Sequence, residues 1–442
     1  AGRAGGRSPC QCYRLWTEST QRGLQAQTMP EILAADLAPL ALELAQWGVR
    51  DAATLDWLDP PPAGALAQAR QLLTELDALD GKGMITTTGK AMAALPAHPR
   101  LAHLLLKGDK LGLGALACDI AALLSERDII NVEAAQTRSC DLMERIEAII
   151  AFRKRGRVGA QAHNADPYAC ERIEQASQQW RRLLNIKHAA NELAAAQESA
   201  GLLLALAYPD RIAAQREANT VHYRLANGRG ARLASHDHLA KSPYLVAAHL
   251  DAGSNNNSNK NYGEGTIYLA APVTVQDLRE YLAEHIKIHD SVRWDAQQQA
   301  VIARREERLG ELILATSVLD NANPDALRKA MLEGIRRMGL AALPWTREAR
   351  EWQARVLSLR QWCPDDRWPD VSDAHLESTL ETWLEPHLQG ITRRDHLTRL
   401  DMLTLLQNHL DWQQRTHLDA GAPTHLTVPS GSRLRLAYTP GE

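Results

Sequence analysis

The sequence predicts a multidomain protein, mainly α-helical with smaller β parts, and three observations carry that prediction. Two helices and a Gly-rich hairpin follow one another over residues 28–92. From Leu95-Pro96 to Tyr208-Pro209 the apolar residues recur almost purely with helical period. At Tyr223 the pattern changes to short β-prone runs separated by Gly and Asn. A chain of 442 residues, 45% of them hydrophobic, has room for two to four domains with cores of their own.

Residues 1–27 contain a short apolar stretch, Cys12 to Trp16, that fits a buried edge strand. Thr28-Met29-Pro30-Glu31 then opens a helix. Thr28 can cap it, Pro30 suits its first turn, Glu31 suits its positive end, and Ile32, Leu33, Leu37, Leu40 and Leu44 continue with helical spacing. After Asp59-Pro60-Pro61-Pro62 a second amphipathic helix runs through Ala65, Ala69, Leu72, Leu73 and Leu76. Gly81-Lys82-Gly83-Met84-Ile85-Thr86 follows as a tight hairpin in which Gly supplies positive φ. This order suggests a winged-helix unit.

Residues 93–215 are expected to form a helical bundle, with a loop from Gly156 to Asp166 between two long helices. A barrel-like β domain is expected over residues 216–310, built on Tyr223-Arg224-Leu225, Tyr244 to Ala248, Thr266 to Ala270 and Val301-Ile302-Ala303. Its polar insert, Gly253 to Asn261, has the composition of a flexible hairpin tip. Helices return near 323–340, 344–360, 375–385 and 395–410, and two β-like pieces, Leu426 to Val428 and Arg433 to Tyr438, follow. Residues 311–442 are thus a further extension, expected to be cut short.

No run of about 18 or more uncharged apolar residues occurs. The start lacks the charged, apolar and small-residue order of a signal peptide, so a cytoplasmic protein without membrane contact is expected. Cys10, Cys12, Cys118, Cys140, Cys170 and Cys363 are too scattered for a disulfide framework, and Cys10-x-Cys12 has no second pair to close a zinc site. No metal site is therefore expected. The net charge of -3 excludes an overall basic protein, so contact with nucleic acid must come from local patches.

Two patches stand out. Arg153, Lys154, Arg155 and Arg157 put four cations in five residues at a helix end, where they can neutralise the phosphates of a single strand or simply complement the helix dipole in solvent. Arg224, Arg229 and Arg232 surround Asn227-Gly228-Arg229-Gly230, a hairpin turn that could present them to a strand or could be a plain turn with exposed arginines. Arg304, Arg305 and Arg308, mixed with Glu306, Glu307 and Glu311, suggest a salt-bridged helix face. Trp345, Trp352, Trp362, Trp368, Trp383 and Trp412 are expected in a core or interface, and the single Phe argues against dedicated stacking platforms. His285-x-x-x-His289 has the one-turn spacing of a metal pair but no third ligand, which favours a surface or capping role.

Several stretches carry a resemblance. Ala1-Gly2-Arg3-Ala4-Gly5-Gly6-Arg7, followed by Cys12 to Glu18, resembles the end of the Q-R-x-G-R-x-G-R arginine motif of DEAH-box helicases. Pro30-Glu31-Ile32-Leu33, Leu58-Asp59-Pro60-Pro61, Leu76 to Asp80 and Leu95-Pro96-Ala97-His98-Pro99-Arg100-Leu101 resemble the C-terminal half of the same superfamily. Leu37 to Leu44, Tyr208 to Ala213, Arg393-Arg394-Asp395 and Val428 to Ser432 narrow the likeness to the bacterial HrpB family of ATP-dependent helicases.

That resemblance implies an order of domains: the end of a second RecA-like α/β domain (1–27), a winged helix (28–92), a ratchet-like bundle (93–215), an OB-like barrel (216–310) and the family's own extension (311–442). It also implies an RNA helicase that works with ATP and Mg2+ on single-stranded RNA or another nucleic acid. Gly2, Arg3 and Arg7 would edge the ATP site. Arg3 would reach the γ-phosphate, where a guanidinium can stabilise the charge that phosphoryl transfer builds. Gly6 departs from the motif by standing where the family has its second arginine, with Arg7 displaced by one position. No G-x-x-x-x-G-K-[ST] loop or Asp-Glu-x-His box occurs, so this chain alone is expected to hold neither ATP nor Mg2+ and to be inactive. The alternative is a non-catalytic RNA-binding or protein-interaction scaffold.

Overall fold

The computed structural model describes residues 13–23, 29–131, 139–186, 193–235, 237–251, 264–429 and 431–438. Contacts divide the chain into two compact units, Ala1–His285 with Gly310–Leu312, and Ile286–Leu309 with Ile313–Glu442. The insert expected at Gly253 to Asn261 lies outside the described residues.

In the first unit, Tyr13, Leu15 and Trp16 are exposed and form no strand, because they make no ladder with any described strand. The expected edge strand gives way to α1 (Glu18–Gly23). The single helix expected from Pro30 to Leu44 is two, α2 (Glu31–Ala34) and α3 (Ala38–Gln46). Pro39 explains the break: it has no N–H to donate, and its ring would strike the Ala35 carbonyl of a continuous helix. Asp36 starts α3 instead, its Oδ1 accepting from the Ala38 N–H at 2.9 Å. Thr28 lies outside the described residues.

α4 (Ala63–Glu75) leads to the Gly81–Thr86 turn, which Asp80 organises by accepting from the N–H groups of Lys82 and Met84, both at 2.8 Å. Gly83 has φ +75° there, and Leu79 and Ile85 pair in an antiparallel bridge. Thr86 then caps α5 (Thr87–Ala93). Leu42, Leu44, Leu73, Leu76, Leu79 and Met92 fill this core.

The bundle comprises α6 (Pro99–Lys110), α7 (Gly114–Ser125), α8 (Leu142–Arg155), α9 (Arg157–Ala162), α10 (Pro167–Leu183) and α11 (Leu193–Ala207). α9 occupies what the sequence suggests is a loop. Only Gly156, with φ +59°, breaks the helical path between α8 and α9, so the chain turns without a long excursion. α7 is buried over nearly all of its surface, which its Ala- and Leu-rich sequence allows.

α11 seats the bundle against a closed barrel. Its strands are β1 (Ile212–Gln215), β2 (His222–Leu225), β3 (Gly230–Arg232), β4 (Tyr244–Leu250) and β5 (Gly265–Pro272), in the order β1-β2-β3-β5-β4. β3 and β5 run parallel, and β1 closes antiparallel on β4. Tyr223 is fully buried in the barrel, its hydroxyl 3.1 Å from the Leu239 carbonyl and 2.9 Å from that of Ser242. α12 (Val275–Tyr281) follows.

Gly201 of α11 permits the helix to lie on the barrel, because a Cβ there would meet the Pro272 carbonyl oxygen at 1.8 Å. Gly201→Ala is therefore expected to cost about 2 kcal/mol, read as a shift of the urea midpoint. An unchanged midpoint would mean that α11 is not held this close.

The second unit opens with the sheet β6 (Ile286–Asp295), β7 (Ala300–Leu309) and β8 (Leu312–Val318), in that order. Val301-Ile302-Ala303 thus belongs to this sheet and not to the barrel. Arg304 to Arg308 lie on a strand, not a helix face: Asp290 of β6 is the register partner of Arg305 and binds its guanidinium at 2.8 and 3.0 Å. Arg305 thus pairs across strands, while Arg308 binds Glu306 two residues away on its own strand at 2.8 Å.

α13 (Pro324–Met338) packs on this sheet, with Gly334 against the Trp294 ring. Then come α14 (Arg347–Trp362), α15 (Asp373–Ser378), α16 (Leu380–Trp383), α17 (Met402–Gln407) and α18 (Trp412–Gly421), and the pair β9 (His425–Thr427) and β10 (Arg433–Arg435). Trp352, Trp368 and Trp383 are buried in this core, and the indole N–H groups of Trp345 and Trp383 donate to the carbonyls of Leu340 and Leu376. Trp362 and Trp412 are exposed.

Candidate nucleic-acid interface

Asp141 caps the start of α8, accepting from the Met143 N–H at 2.8 Å, and the predicted basic cluster forms the end of that helix. The structure divides the cluster. Arg153 turns inward: its Nη atoms lie 2.8 and 2.6 Å from the two carboxylate oxygens of Asp119, and its Nε 2.5 Å from Glu174. Asp119, almost completely buried, also accepts from Ser177 and from Arg181 at 2.8 Å. Burial pushes its carboxyl up, but Arg153, Arg181 and Ser177 outweigh that and hold it below its ordinary value.

Lys154, Arg155 and Arg157 are exposed. The Arg157 guanidinium lies over the Tyr168 ring, 4.9 Å from its centre. Tyr168 is 59% exposed in the first turn of α10, which Asp166 caps and Pro167 begins. The sequence reading missed this tyrosine, although Asp166-Pro167-Tyr168 signals an aromatic fixed at a helix start.

On the barrel, Tyr223, Leu225 and Ala231 point inward, which leaves Arg224 and Arg232 exposed on β2 and β3. Arg229 is exposed in the turn, where Gly228 has φ +86° and Asn227 Oδ1 accepts from the Arg229 N–H at 3.0 Å. Acids accompany this face. Glu311 binds Arg224 at 3.2 Å, while Glu264 binds His222 at 2.7 Å and Arg216 at 3.2 Å. Of the two patches, the bundle rim is the more purely cationic.

Two stretches noted for their resemblance meet inside the first unit. Arg100 binds Asp210 with two hydrogen bonds, at 2.6 and 3.0 Å, and reaches the Ala207 carbonyl at 3.1 Å. The Tyr208 ring lies 4.9 Å from the Arg100 guanidinium and 5.0 Å from that of Arg211, and His98 pairs with Asp36 at 3.2 Å. His285 ends a short 3-10 turn, and its Nε2 donates to the Glu75 carbonyl at 2.7 Å. His289 lies on β6, so the two histidines do not share a helical turn. Gly2, Arg3 and Arg7 lie outside the described residues.

Residues 69–97 match the family described as helicase associated domain (HA2), winged-helix, which defines the class: a helicase-like multidomain protein. Residues 285–319 match the connector region of ATP-dependent RNA helicase HrpB, and residues 383–442 match a family described as ATP-dependent helicase C-terminal, HrpB_C. Over 440 residues the chain is 36% identical to "ATP-dependent RNA helicase HrpB" of Escherichia coli (strain K12), covering 99% of this chain and 49% of that protein. Over nearly its whole length the chain is thus similar to the HrpB-type family of ATP-dependent helicases.

A crystal structure of the E. coli DExH-box NTPase HrpB aligns with a TM-score of 0.53 and 34% identity over 100% of this chain and 50% of that one. The pre-mRNA-splicing factor ATP-dependent RNA helicase prp22 of Schizosaccharomyces pombe is 38% identical over 130 residues, 29% of this chain and 11% of that protein. The chain thus spans about half the length of its HrpB relative.

Proposed function

We propose that this chain is the part of an ATP-dependent RNA helicase that guides single-stranded RNA past the motor. In this reading residues 28–92 are the winged helix, the bundle is a ratchet, and the barrel is OB-like. Residues 1–27 end a RecA-like domain in which Gly2, Arg3 and Arg7 edge the site for ATP and Mg2+. The activity belongs to the intact protein, and this chain alone turns over no ATP.

The observation that carries the reading is the exposed rim of Lys154, Arg155 and Arg157 on a chain of net charge -3. Arg153 is a brace for the bundle and not a phosphate ligand, and Arg224, Arg229 and Arg232 give a weaker second contact.

Fluorescence anisotropy of this chain with single-stranded RNA across a salt series tests it. Each phosphate contact contributes about 0.7 to the salt slope of a single strand, so replacing Lys154, Arg155 and Arg157 together with Ala should lower the slope by about 2. A slope equal to that of the parent chain removes the rim from the interface. No binding at low salt favours the protein-interaction form of the scaffold alternative.

A further inference from the structure

We infer that Tyr168 is a nucleobase-stacking residue, with Arg157 as the brace that holds its ring. The inference rests on the RNA-binding reading above and adds a contact to the base where that reading has contacts only to phosphate. Three observations converge. Tyr168 is 59% exposed, although its neighbours Ala169 and Cys170 are buried, so the ring stands on an anchored helix. Asp166 and Pro167 fix the backbone just before it, the Asp166 carboxylate accepting from the Tyr168 N–H at 3.0 Å. Arg157 lies over the ring at 4.9 Å from its centre, one glycine beyond the cations that end α8.

A guanidinium held over a ring face still has N–H donors directed away from the ring, free to bind a phosphate oxygen. The exposed part of the ring is then available to one base, while Lys154, Arg155 and Arg157 hold the strand. Stacking accepts any base, because every base has a π-face. The single Phe of the sequence therefore does not exclude a platform.

The experiment measures this chain and its Tyr168→Ala and Tyr168→Phe variants against two probes, a labelled twelve-residue oligouridylate and an abasic strand of the same length. Tyr168→Ala should weaken oligouridylate binding about 5- to 150-fold. It should leave abasic binding and the salt slope unchanged, and Tyr168→Phe should restore affinity to within about twofold. Equal loss on both probes overturns the inference, because the ring would then act only by positioning Arg157. Unchanged affinity in Tyr168→Ala overturns it as well. Failure of the parent chain to bind either probe is a different result, which removes the RNA-binding reading itself and this inference with it.

Discussion

Replacing Asp119 with Ala is expected to destabilise the first unit by about 3–5 kcal/mol. Asp119 is 1% exposed in a helix otherwise built of apolar residues, and it is the shared acceptor for Arg153, Arg181 and Ser177. Without it the two guanidiniums face each other, with only Glu174 left to Arg153, and the cost is that of buried charge stripped of its partner. Urea unfolding followed by far-UV circular dichroism measures it, provided the slope with urea stays constant. A loss below about 1 kcal/mol would show the network behaving like a solvent-screened surface pair. In the same assay the triple replacement of Lys154, Arg155 and Arg157 should change the unfolding free energy by no more than about 0.5 kcal/mol. Adjacent residues of one cluster thus separate into a structural brace and an exposed rim.

That division was legible in the sequence, though not from composition. Ile146, Ile149 and Arg153 follow at intervals of three and four residues, so Arg153 shares the inward face of the buried isoleucines while Lys154 and Arg155 turn away. A lone Asp in an Ala- and Leu-rich helix likewise announces a buried partner. Counting cations merges what helical phase separates.

The helical bundle could be read directly because its apolar faces repeat over long windows. The β parts were harder, and for physical reasons. β1 is Ile-Ala-Ala-Gln directly after a short 3-10 turn, and β3 is Gly-Ala-Arg; apart from Ile212 neither has intrinsic strand preference, and both exist through pairing with β2, β4 and β5. β7 carries charges whose partners, such as Asp290, are fifteen residues away, where local spacing cannot find them. The Arg157 and Tyr168 contact has the same origin, since the turn at Gly156 and the short α9 decide that the two side chains meet.

Acid should weaken the first unit in two steps, and His103 accounts for the first. Its ring is buried, with Nδ1 2.7 Å from the Leu206 carbonyl, so the neutral ring donates its Nδ1–H there. Burial is the main cause that lowers its pKa to about 4. The nearby charges of Lys107 and His285 act in the same direction, and the Leu206 bond and Asp77 oppose them. An unfolded chain takes up this proton near pH 6.5, so between pH 6.5 and 4 the unfolded state holds more protons than the folded one. The stabilisation is complete above pH 6.5, falls as the pH drops towards 4, and amounts to about 3 kcal/mol. Asp36 likewise binds its proton more weakly in the folded state, and so has the same sense of loss, although here the fold favours the charged form. The hydrogen bond from His98 is the chief cause that holds its carboxyl at about 2, so its contribution disappears only between pH 3.8 and 2. His103→Gln keeps a donor for the Leu206 carbonyl and has no proton to gain. Urea unfolding of this variant at pH 7, 5.5 and 4.5 should therefore show a flatter decline than the parent chain. An identical decline in both proteins would assign the first step to another group.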